Sequence, residues 1–560
     1  MRRALSFAIV AAIGNFLQGW DQATLSGSIT YIREEFRLED KPLIDSLINT
    51  IPLVGAAIVT VFLGAISDRF GRRPMLIISS VFYIAGSVLM VWCPDVYILL
   101  LARLVFGFGI GLAVAFVAAY ITEVSPPEMR GLLSTLPQLM GSTGTTVAYD
   151  VDFGMSLQRQ PSWRLLFGGI LFLAIVNLVF TVFLLPEAPT WLVSKGRMEE
   201  AKQALQRLRG REDVSGEMAL LAEGVKDAVR RPKRRIAWGR RPAATRRSLL
   251  GSILLDPVRI RWKRHASNEQ AEVENPLREG ESYASDDMYT PLLSDHGTNE
   301  GGGDPKRVIL CMEHSVLVIP EGDASETDEC VKAKASVSQH PSGPAMVPPC
   351  GGIKHVLFLG IGMQILQQFA GINGVLYYTP QILEQAGVGI LLSEMGLTSV
   401  SSSLLVSSVI FTLQLPCILV AMRLMDVIGR RSLLLRTIPL LIASLLLLVL
   451  VNTVDFGAVA HAALSTVSVV VYLCSFVMGF GPIPSIICSE IFPTRVRGKC
   501  IAACSVTGWL CSIVVAFTLP LMQRAVGLSG VCGAYAFVCV SSLGFIFFLV
   551  PETKGAVMTP

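Results

Sequence analysis

Twelve apolar stretches, each close to the length of a membrane-crossing helix, constrain the fold of this chain more than any other feature. Only 16% of the 560 residues are charged, whereas a soluble domain carries about 25%. Because about 20 apolar residues in a helix cross a hydrocarbon core of roughly 30 Å, the stretches predict an all-α polytopic membrane protein with twelve transmembrane helices. They lie near residues 5–26, 46–66, 74–93, 97–120, 132–150, 166–186, 353–378, 399–423, 432–452, 460–487, 500–522 and 530–550.

A long polar interval separates the first six stretches from the last six. The sequence therefore predicts two six-helix bundles, at 1–186 and 353–560, joined by a central loop at 187–352. In residues 187–230 the apolar positions of segment 196–209 recur at helical spacing, which predicts a surface helix. Residues 231 to about 350 are rich in Ser, Gly, Pro and charge with little periodicity, so we expect this part to be largely disordered.

Lysine and arginine in the short loops predict the orientation of the chain. Twelve of these residues lie on the side of the amino terminus, and six lie on the opposite side. Because basic residues accumulate on the cytosolic side of a membrane, we expect the termini and the central loop to face the cytosol. The lipid bilayer is the first partner that the sequence predicts.

Three charged motifs recur in the two halves. Asp-x-x-Gly-Arg-Arg follows the second and eighth stretches, a Glu and an Arg seven residues apart follow the fourth and tenth, and Pro-Glu follows the sixth and twelfth. The offsets, from 358 (68 to 426) to 367 (123 to 490), indicate an internal repeat, which normally places a substrate site between the halves. The acids and bases predict ion pairs between neighbouring helices that hold the cytosolic side closed. These gate residues are Asp68, Arg72, Arg73, Glu123, Arg130, Glu187, Asp426, Arg430, Arg431, Glu490 and Arg497.

One acid and one base lie inside apolar stretches at matching depths. At 1.5 Å per residue, Asp21 is roughly 9 Å from the non-cytosolic end of the first span, and Arg103 is roughly 7 Å from that end of the fourth. A charge inside a membrane costs about 2.5–3.5 kcal/mol on insertion scales, so we expect the two to pair. Burial favours the neutral carboxyl and the arginine favours its charged form, so the pair predicts a proton-coupling site. A static structural ion pair is the alternative.

Uncharged hydrogen-bonding groups gather in the seventh stretch. Gln364, Gln367 and Gln368 share one helical face, and Asn373 and Tyr378 follow. Glycines on both sides of Asn373 allow the helix to break there and expose backbone groups to a cavity. Amides and phenols donate and accept hydrogen bonds without charge, which suits a neutral polyhydroxylated ligand. Hydrogen bonding between helices without a ligand is the alternative.

These motifs resemble the sugar-porter branch of the major facilitator superfamily and, within it, the plant tonoplast sugar transporters. The matching pieces include Gly64-x-x-x-Asp68-Arg-x-Gly-Arg-Arg73, Pro186-Glu-Ala-Pro-Thr-Trp-Leu192, Gln367-Gln368-x-x-Gly-Ile-Asn373, Gly481-Pro-Ile-Pro484 and Pro551-Glu-Thr-Lys-Gly555. The resemblance implies a major facilitator fold, alternating access to a hexose, and sugar import into the vacuole against proton export. Glucose and fructose are the expected substrates, with sucrose as a further candidate.

The resemblance also implies roles for individual residues. Asp21 and Arg103 would form the proton-linked pair. Tyr378, Gln414 in the eighth span and Trp509 in the eleventh complete a predicted substrate set of Gln138, Gln367, Gln368, Asn373, Tyr378, Gln414 and Trp509. Residues that depart from the family pattern are Asp150, Asp152, Thr190, Ser485 and Ser512.

Three functions remain open on the sequence: a proton-coupled sugar transporter, a sugar sensor that binds without turnover, and an uncoupled uniporter. No arrangement typical of an enzyme, a cofactor site or a metal site appears, and we expect no nucleic-acid partner. Sugar, protons and lipid are the expected partners, and regulatory kinases acting on the central loop are further candidates. The expected address is the vacuolar membrane, with the plasma membrane as the alternative.

Overall fold

A computed structural model of the chain describes residues 2–38, 41–126, 130–158, 162–230, 308–312, 315–319, 352–392, 396–454, 456–492 and 497–553. Within these ranges the chain is almost entirely helical. The helices of the first part are α1 Arg2–Phe36, α2 Pro42–Phe70, α3 Arg72–Val91, α4 Val96–Val124, α5 Arg130–Ser134, α6 Leu136–Ser156, α7 Trp163–Phe183, α8 Pro189–Ser194, α9 Met198–Arg209 and α10 Ser215–Arg230. Those of the last part are α11 Gly352–Phe369, α12 Ile372–Gln385, α13 Val388–Leu391, α14 Ser399–Ile428, α15 Arg430–Thr453, α16 Ala458–Met478, α17 Ile483–Ile491 and α18 Arg497–Leu549.

Nine helical stretches of the described residues are long and apolar enough to cross a membrane. The last of them, Gly498–Leu549, has a non-helical residue at Gly527 and is long enough to cross twice. Helices α1 and α6 are not among the nine because polar residues, including Asp21 and Asp152, lower their mean hydropathy. With these two helices and the double crossing, each of the twelve predicted spans corresponds to helical structure, and the chain is a multi-pass membrane protein.

The helices pack as two halves that share a buried apolar core. In the first half, α1 packs against α4, α6 and α7, while α4 packs against α2 and α3. In the second half, α15 packs against α16 and α18, and α11 packs against α18. The halves meet where α1 contacts α12, α2 contacts α18 and α6 contacts α14. We call the side on which α1 begins at Arg2 the terminus side, and the side on which it ends at Phe36 the far side.

The predicted seventh span is broken into α11 and α12. Gly371 lies between them with φ 96°, a conformation that side chains with a Cβ rarely adopt. The Tyr472 hydroxyl donates to the Ala370 carbonyl oxygen at 2.9 Å, which satisfies a backbone group that the break frees. The break lies inside the membrane domain, close to the predicted sugar-binding amides.

The chain divides into two compact units, one formed by Met1–Pro232 with Ala345–Pro560 and the other by Lys233–Pro344. The second unit contains an antiparallel pair, β1 Val308–Met312 and β2 Ser315–Ile319, in which Val308 pairs with Ile319. These ten residues lie in the region expected to be largely disordered, and two short runs rich in β-branched residues and separated by two residues favour a hairpin there. The rest of the region predicted to be disordered lies outside the described residues.

The first part of the central loop is helical where it is described. Helix α9 buries four apolar side chains at i, i+3, i+4 and i+7 spacing, which gives it one apolar face. These residues are Ala201, Ala204, Leu205 and Leu208. The α9 face contributes to a small cluster with Leu192 and Val193 of α8, next to the membrane-spanning helices.

Candidate substrate site and coupling pair

Two glutamine side chains from opposite halves reach the same stretch of backbone. Between α16 and α17 the chain leaves the helical path at residues 479–482. The Gln367 amide of α11 donates to the Gly481 carbonyl oxygen at 2.9 Å. The Gln138 amide of α6 donates to the Val477 carbonyl oxygen at 3.5 Å and lies beside Gly481, where a Cβ would come within 2.8 Å of its nitrogen. A break in one half is therefore contacted by amides from both halves.

Gln368 and Asn373 form a second polar cluster across the α11–α12 break. The Gln368 side-chain oxygen accepts from the Asn373 amide at 2.9 Å and from the Ser512 hydroxyl at 2.8 Å. Ser512, which departs from the family pattern, therefore orients Gln368. Gln367, Gln368 and Asn373 are partly exposed. Among the described residues, nothing bonds to the Gln368 amide nitrogen or to the side-chain oxygens of Gln367 and Asn373, so these groups can bind a ligand.

In the described part of the chain, three other predicted substrate residues form no hydrogen bond with this cluster. The Tyr378 hydroxyl accepts from the Asn49 amide at 3.1 Å, towards the far side. Gln414 is buried in α14, and its side-chain oxygen has no hydrogen-bond partner in the described part of the chain. Trp509 is partly buried and packs against the main apolar core. Their role in binding stays a prediction.

The structure brings Asp21 and Arg103 together. The Arg103 Nη1 group donates to Asp21 Oδ1, and the side chains of both residues are at most 2% exposed. The Arg103 Nε group donates to the Ile48 carbonyl oxygen at 3.3 Å, which ties the pair to α2. Arg103 Nη2 has no hydrogen-bond partner in the described part of the chain. Removal of either partner of an ion pair this deeply buried would leave an uncompensated charge inside the protein.

Tyr377 of α12 connects the ion pair to the second half. Its phenol lies near the charges of Asp21 and Arg103 and near the Gln22 side chain. The Ser26 hydroxyl donates to the Tyr377 carbonyl oxygen at 2.7 Å. Gln22 and Ser26 were not predicted as site residues, although both are polar residues within the same apolar span as Asp21.

Comparison with known proteins decides the family. Residues 7–255 and 320–559 match the family described as "Sugar (and other) transporter". The chain belongs to this family, within the major facilitator superfamily. This sugar transporter is 43% identical to Monosaccharide-sensing protein 2 of Arabidopsis thaliana over 99% of its own length and 97% of that protein. It is 40% identical to Monosaccharide-sensing protein 3 of Arabidopsis thaliana over 99% and 96% of the two chains.

The solved structures agree on the fold. The transporter is similar to the partially occluded inward open form of the xylose transporter XylE from E. coli, with a TM-score of 0.67 and 20% identity over 100% of both chains. A likeness at this identity shows the major facilitator fold of two six-helix halves. The family match makes the protein a transporter and not an enzyme, as predicted from the sequence.

A polar cavity of about 440 Å³ opens between the two halves of the transporter towards the far side. Its volume lies within the range of about 300–1,000 Å³ that is usual for small-molecule sites. The Arg33–Asp45 ion pair, 2.7 Å long, forms part of its wall, and Tyr378 forms another part. The other lining residues are Leu38, Gln381, Gln385, Pro520, Gln523, Arg524 and Leu528.

The repeated motifs build the same structure at the terminus side of each half. Arg72 pairs with Glu123 at 2.9 Å, and Arg430 pairs with Glu490 at 3.3 Å. These pairs join helices of one half, so the described pairs brace each half and do not cross between the halves. The Thr190 hydroxyl donates to Glu123 and occupies the place of the arginine that the family pattern has there. The side chains of Asp68, Arg130, Asp426 and Arg497 lie outside the described residues.

The Pro-Glu motif caps a helix in each half. Glu187 accepts from the backbone N–H groups of Arg72 and Arg73, at 2.9 and 3.1 Å. Glu552 accepts in the same way from Arg430 and Ser432, at 2.9 and 3.2 Å. A carboxylate at a helix N-terminus satisfies free N–H groups and complements the helix dipole. The duplication therefore extends from sequence to hydrogen bonding.

Two gate arginines anchor the helices in a matching way. The Arg73 guanidinium donates to the Val182 carbonyl oxygen near the end of α7, at 2.5 Å. The Arg431 guanidinium donates to the Phe547 carbonyl oxygen near the end of α18, at 2.7 Å. Each arginine supplies a donor to a helix C-terminus, where free carbonyl groups need one.

Replacing Glu187 by Gln should lower the free energy of unfolding by about 1 kcal/mol, because the amide keeps one acceptor but loses the charge that complements α3. A thermal unfolding series in detergent would detect the loss as a lower Tm. Glu200→Gln is the matched control, because Glu200 forms an exposed pair with Arg197 on α9. Equal Tm values for Glu187→Gln and Glu200→Gln would contradict the capping role.

Proposed function

We propose that this protein moves a hexose across the vacuolar membrane by alternating access, in exchange for protons. The observation that carries the proposal is the meeting of amides from both halves at broken helices. Gln138 of the first half and Gln367 of the second bond to the same backbone segment. A neutral solute with many hydroxyl groups can replace such bonds one by one, since each amide both donates and accepts.

The surroundings of this site suit alternating access. On the far side, the rings of Tyr149 and Phe411 stack across the halves at 4.9 Å between their centroids. On the terminus side, Leu132 and Leu139 of the first half pack against Met422 of the second. A site that has one such contact between the halves on each side of it can open to one side of the membrane at a time when the halves rotate relative to each other. The name of the Arabidopsis relatives, monosaccharide-sensing protein, supports a sugar as the transported species, and the description of XylE as a proton:xylose symporter supports a sugar and a proton.

The vacuolar address and the direction of exchange rest on the resemblance to tonoplast sugar transporters. With the termini in the cytosol, the far side is the vacuolar lumen. A transporter that releases protons from an acidic lumen as it takes up sugar would concentrate sugar in the vacuole. Sugar sensing without turnover is the second candidate, and the names of the Arabidopsis relatives favour it.

Uptake of labelled glucose into reconstituted vesicles separates these functions. Accumulation that depends on a pH gradient supports exchange, equilibration without dependence on the gradient supports a uniporter, and binding without uptake supports a sensor. Fructose and sucrose as competitors then rank the substrates. A chain that neither binds nor moves any of the three sugars would contradict the proposal.

Gln367→Ala should raise the KM for glucose about tenfold or more. The reason is that loss of one buried hydrogen-bond partner of a sugar hydroxyl lowers the binding free energy by about 1–3 kcal/mol. The loss should appear in KM, with the amount of folded protein unchanged. Asn452→Ala is the matched control, because that amide donates to the carbonyl oxygen of Leu448 in its own helix, at 2.7 Å. A KM for Gln367→Ala equal to that of the control would place the sugar elsewhere.

A further inference from the structure

Asp152 is a buried carboxyl that the roles described so far do not use. It lies in α6, four residues before the helix ends at Ser156, and is 3% exposed. Neither of its carboxylate oxygens has a hydrogen-bond partner in the described part of the chain. The carboxyl lies against the backbone of α1 at Gly27. A Cβ atom added to Gly27 would come within 2.5 Å of Asp152 Oδ2. Burial of a charged carboxylate without partners is strongly unfavourable, so the site favours the neutral acid.

The groups that face Asp152 do not offset a negative charge. Of the groups that the structure describes, the titratable side chains that interact with it electrostatically are Tyr31 of α1 and Tyr149 of α6, and Glu384 of α12 acts on the same Tyr31. No arginine or lysine in the described ranges pairs with Asp152, in contrast to Asp21. Neighbouring Asp150 is exposed on the helix.

Asp152 also lies within the closure between the halves on the far side. One turn before it, Tyr149 stacks on Phe411 of α14. Asp150 accepts a hydrogen bond from the Ser408 hydroxyl of the second half. One turn after it, the Ser156 hydroxyl donates to Ser401 at 3.0 Å. Separation of these contacts would bring far-side water to the carboxyl.

We propose that Asp152 is a second proton-binding site of this transporter, one that couples the far-side closure to pH. While the closure is intact, the carboxyl holds its proton. When the halves separate on the far side, the O–H proton passes to water and the carboxylate becomes solvated. Ionised Asp152 opposes closing, because closing would bury an unpartnered charge. Low pH on the far side therefore favours the closed state, and high pH favours the open state.

This inference rests on the proposed function only for the identity of the far side as the vacuolar lumen. Its two tests, protonation and distance, need no transport. In infrared spectra of the purified protein at neutral pH, the C=O band of a protonated carboxyl should be lost in Asp152→Asn. Asp95→Asn, which removes an exposed acid before α4 on the same side, is the matched control and should keep the band. An unchanged band in Asp152→Asn would overturn the assignment of the proton.

Distance measurements test the coupling to the closure. Spin labels at Leu157 and Ser399, attached without cysteine chemistry because the chain has 12 cysteines, report separation on the far side. Raising the pH should shift the wild-type distances to longer values, and Asp152→Asn should abolish this shift. Asp152→Ala provides a second neutral variant if Asp152→Asn does not fold. A pH-dependent shift that persists in a folded neutral variant would overturn the gating role, whether or not the protein moves sugar.

Discussion

Asp21→Asn is expected to abolish the accumulation of glucose driven by a pH gradient while leaving exchange of labelled for unlabelled glucose in place. Asparagine mimics the protonated carboxyl in shape but cannot release a proton, so the cycle loses its coupling step. The buried pair of Asp21 with Arg103 lies near Tyr377 of α12, the helix that carries Asn373, so a coupling step at Asp21 would be close to the proposed sugar site. We expect the ratio of glucose inside to glucose outside the vesicles to fall at least tenfold. This fall corresponds to about 1.4 kcal/mol of free energy stored in the glucose gradient.

The measurement compares gradient-driven uptake with counterflow in the same vesicles. Glu35→Gln is the matched control, because Glu35 pairs with Arg164 at 2.7 Å on the far side but is 39% exposed in its side chain. An exposed pair contributes only about 0–1 kcal/mol to stability, so its loss should change neither assay. Equal accumulation by wild type and Asp21→Asn would show that the pair is only structural.

Stability has to be separated from coupling in this test. Removal of one partner of a buried ion pair costs about 3–5 kcal/mol, so Asp21→Asn and Arg103→Gln should each lower the Tm. The double variant leaves no unpaired charge and should recover much of the lost Tm. It should still lack gradient-driven accumulation. Recovery of both properties in the double variant would contradict a role for the carboxyl in proton exchange.

Gly144→Ala is expected to prevent most of the protein molecules from folding, although the substitution adds a single methyl group. Where α6 crosses α1, a Cβ on Gly144 would come within 2.1 Å of the Phe16 carbonyl oxygen, and a Cβ on Gly19 would come within 1.9 Å of the Gly141 carbonyl oxygen. Backbone atoms cannot move aside as a flexible side chain can. Overpacking lowers the free energy of unfolding by about 1–3 kcal/mol where the neighbouring side chains can move. The loss should be larger here, because the neighbours are backbone atoms.

Gly154→Ala in the same helix is the matched control, because a Cβ there would meet nothing within 4 Å. It should be neutral or stabilising by about 0.5–1 kcal/mol, since alanine is the better helix former. Gel filtration of fluorescent fusions, with Tm measured on any folded fraction, would compare the two variants. Similar yields and Tm values would show that α1 and α6 are farther apart than described.

Much of the architecture was predictable because it depends on local sequence. Apolar length determines the spans, and the repeated Asp-x-x-Gly-Arg-Arg motif marks equivalent helix junctions in the two halves. In both copies the glycine has a positive φ, 93° at Gly71 and 99° at Gly429, and a Cβ would come within 2.8 Å of the capping glutamate. The break at Gly371 was predictable for a similar reason, since glycine tolerates the conformation that ends a helix.

The site was only partly predictable. Gln367, Gln368 and Asn373 belong to one short segment, so their proximity follows from helical spacing and the break. The Asp21–Arg103 contact could be anticipated from depth alone, because the energetic cost of an isolated charge in a membrane selects a partner at the same level.

The sequence by itself determined the spans, the duplicated halves and the supply of uncharged polar groups, because these depend on residue type and spacing along one helix. Only the tertiary structure decided that Gln138 meets the Gly481 region, that Ser512 orients Gln368, and that the described ion pairs brace single halves. It also decided that Asp152 is buried against Gly27 while Asp150, two residues away, is exposed. These features depend on which helices become neighbours and how each is rotated, and that is determined by packing between residues far apart in the chain.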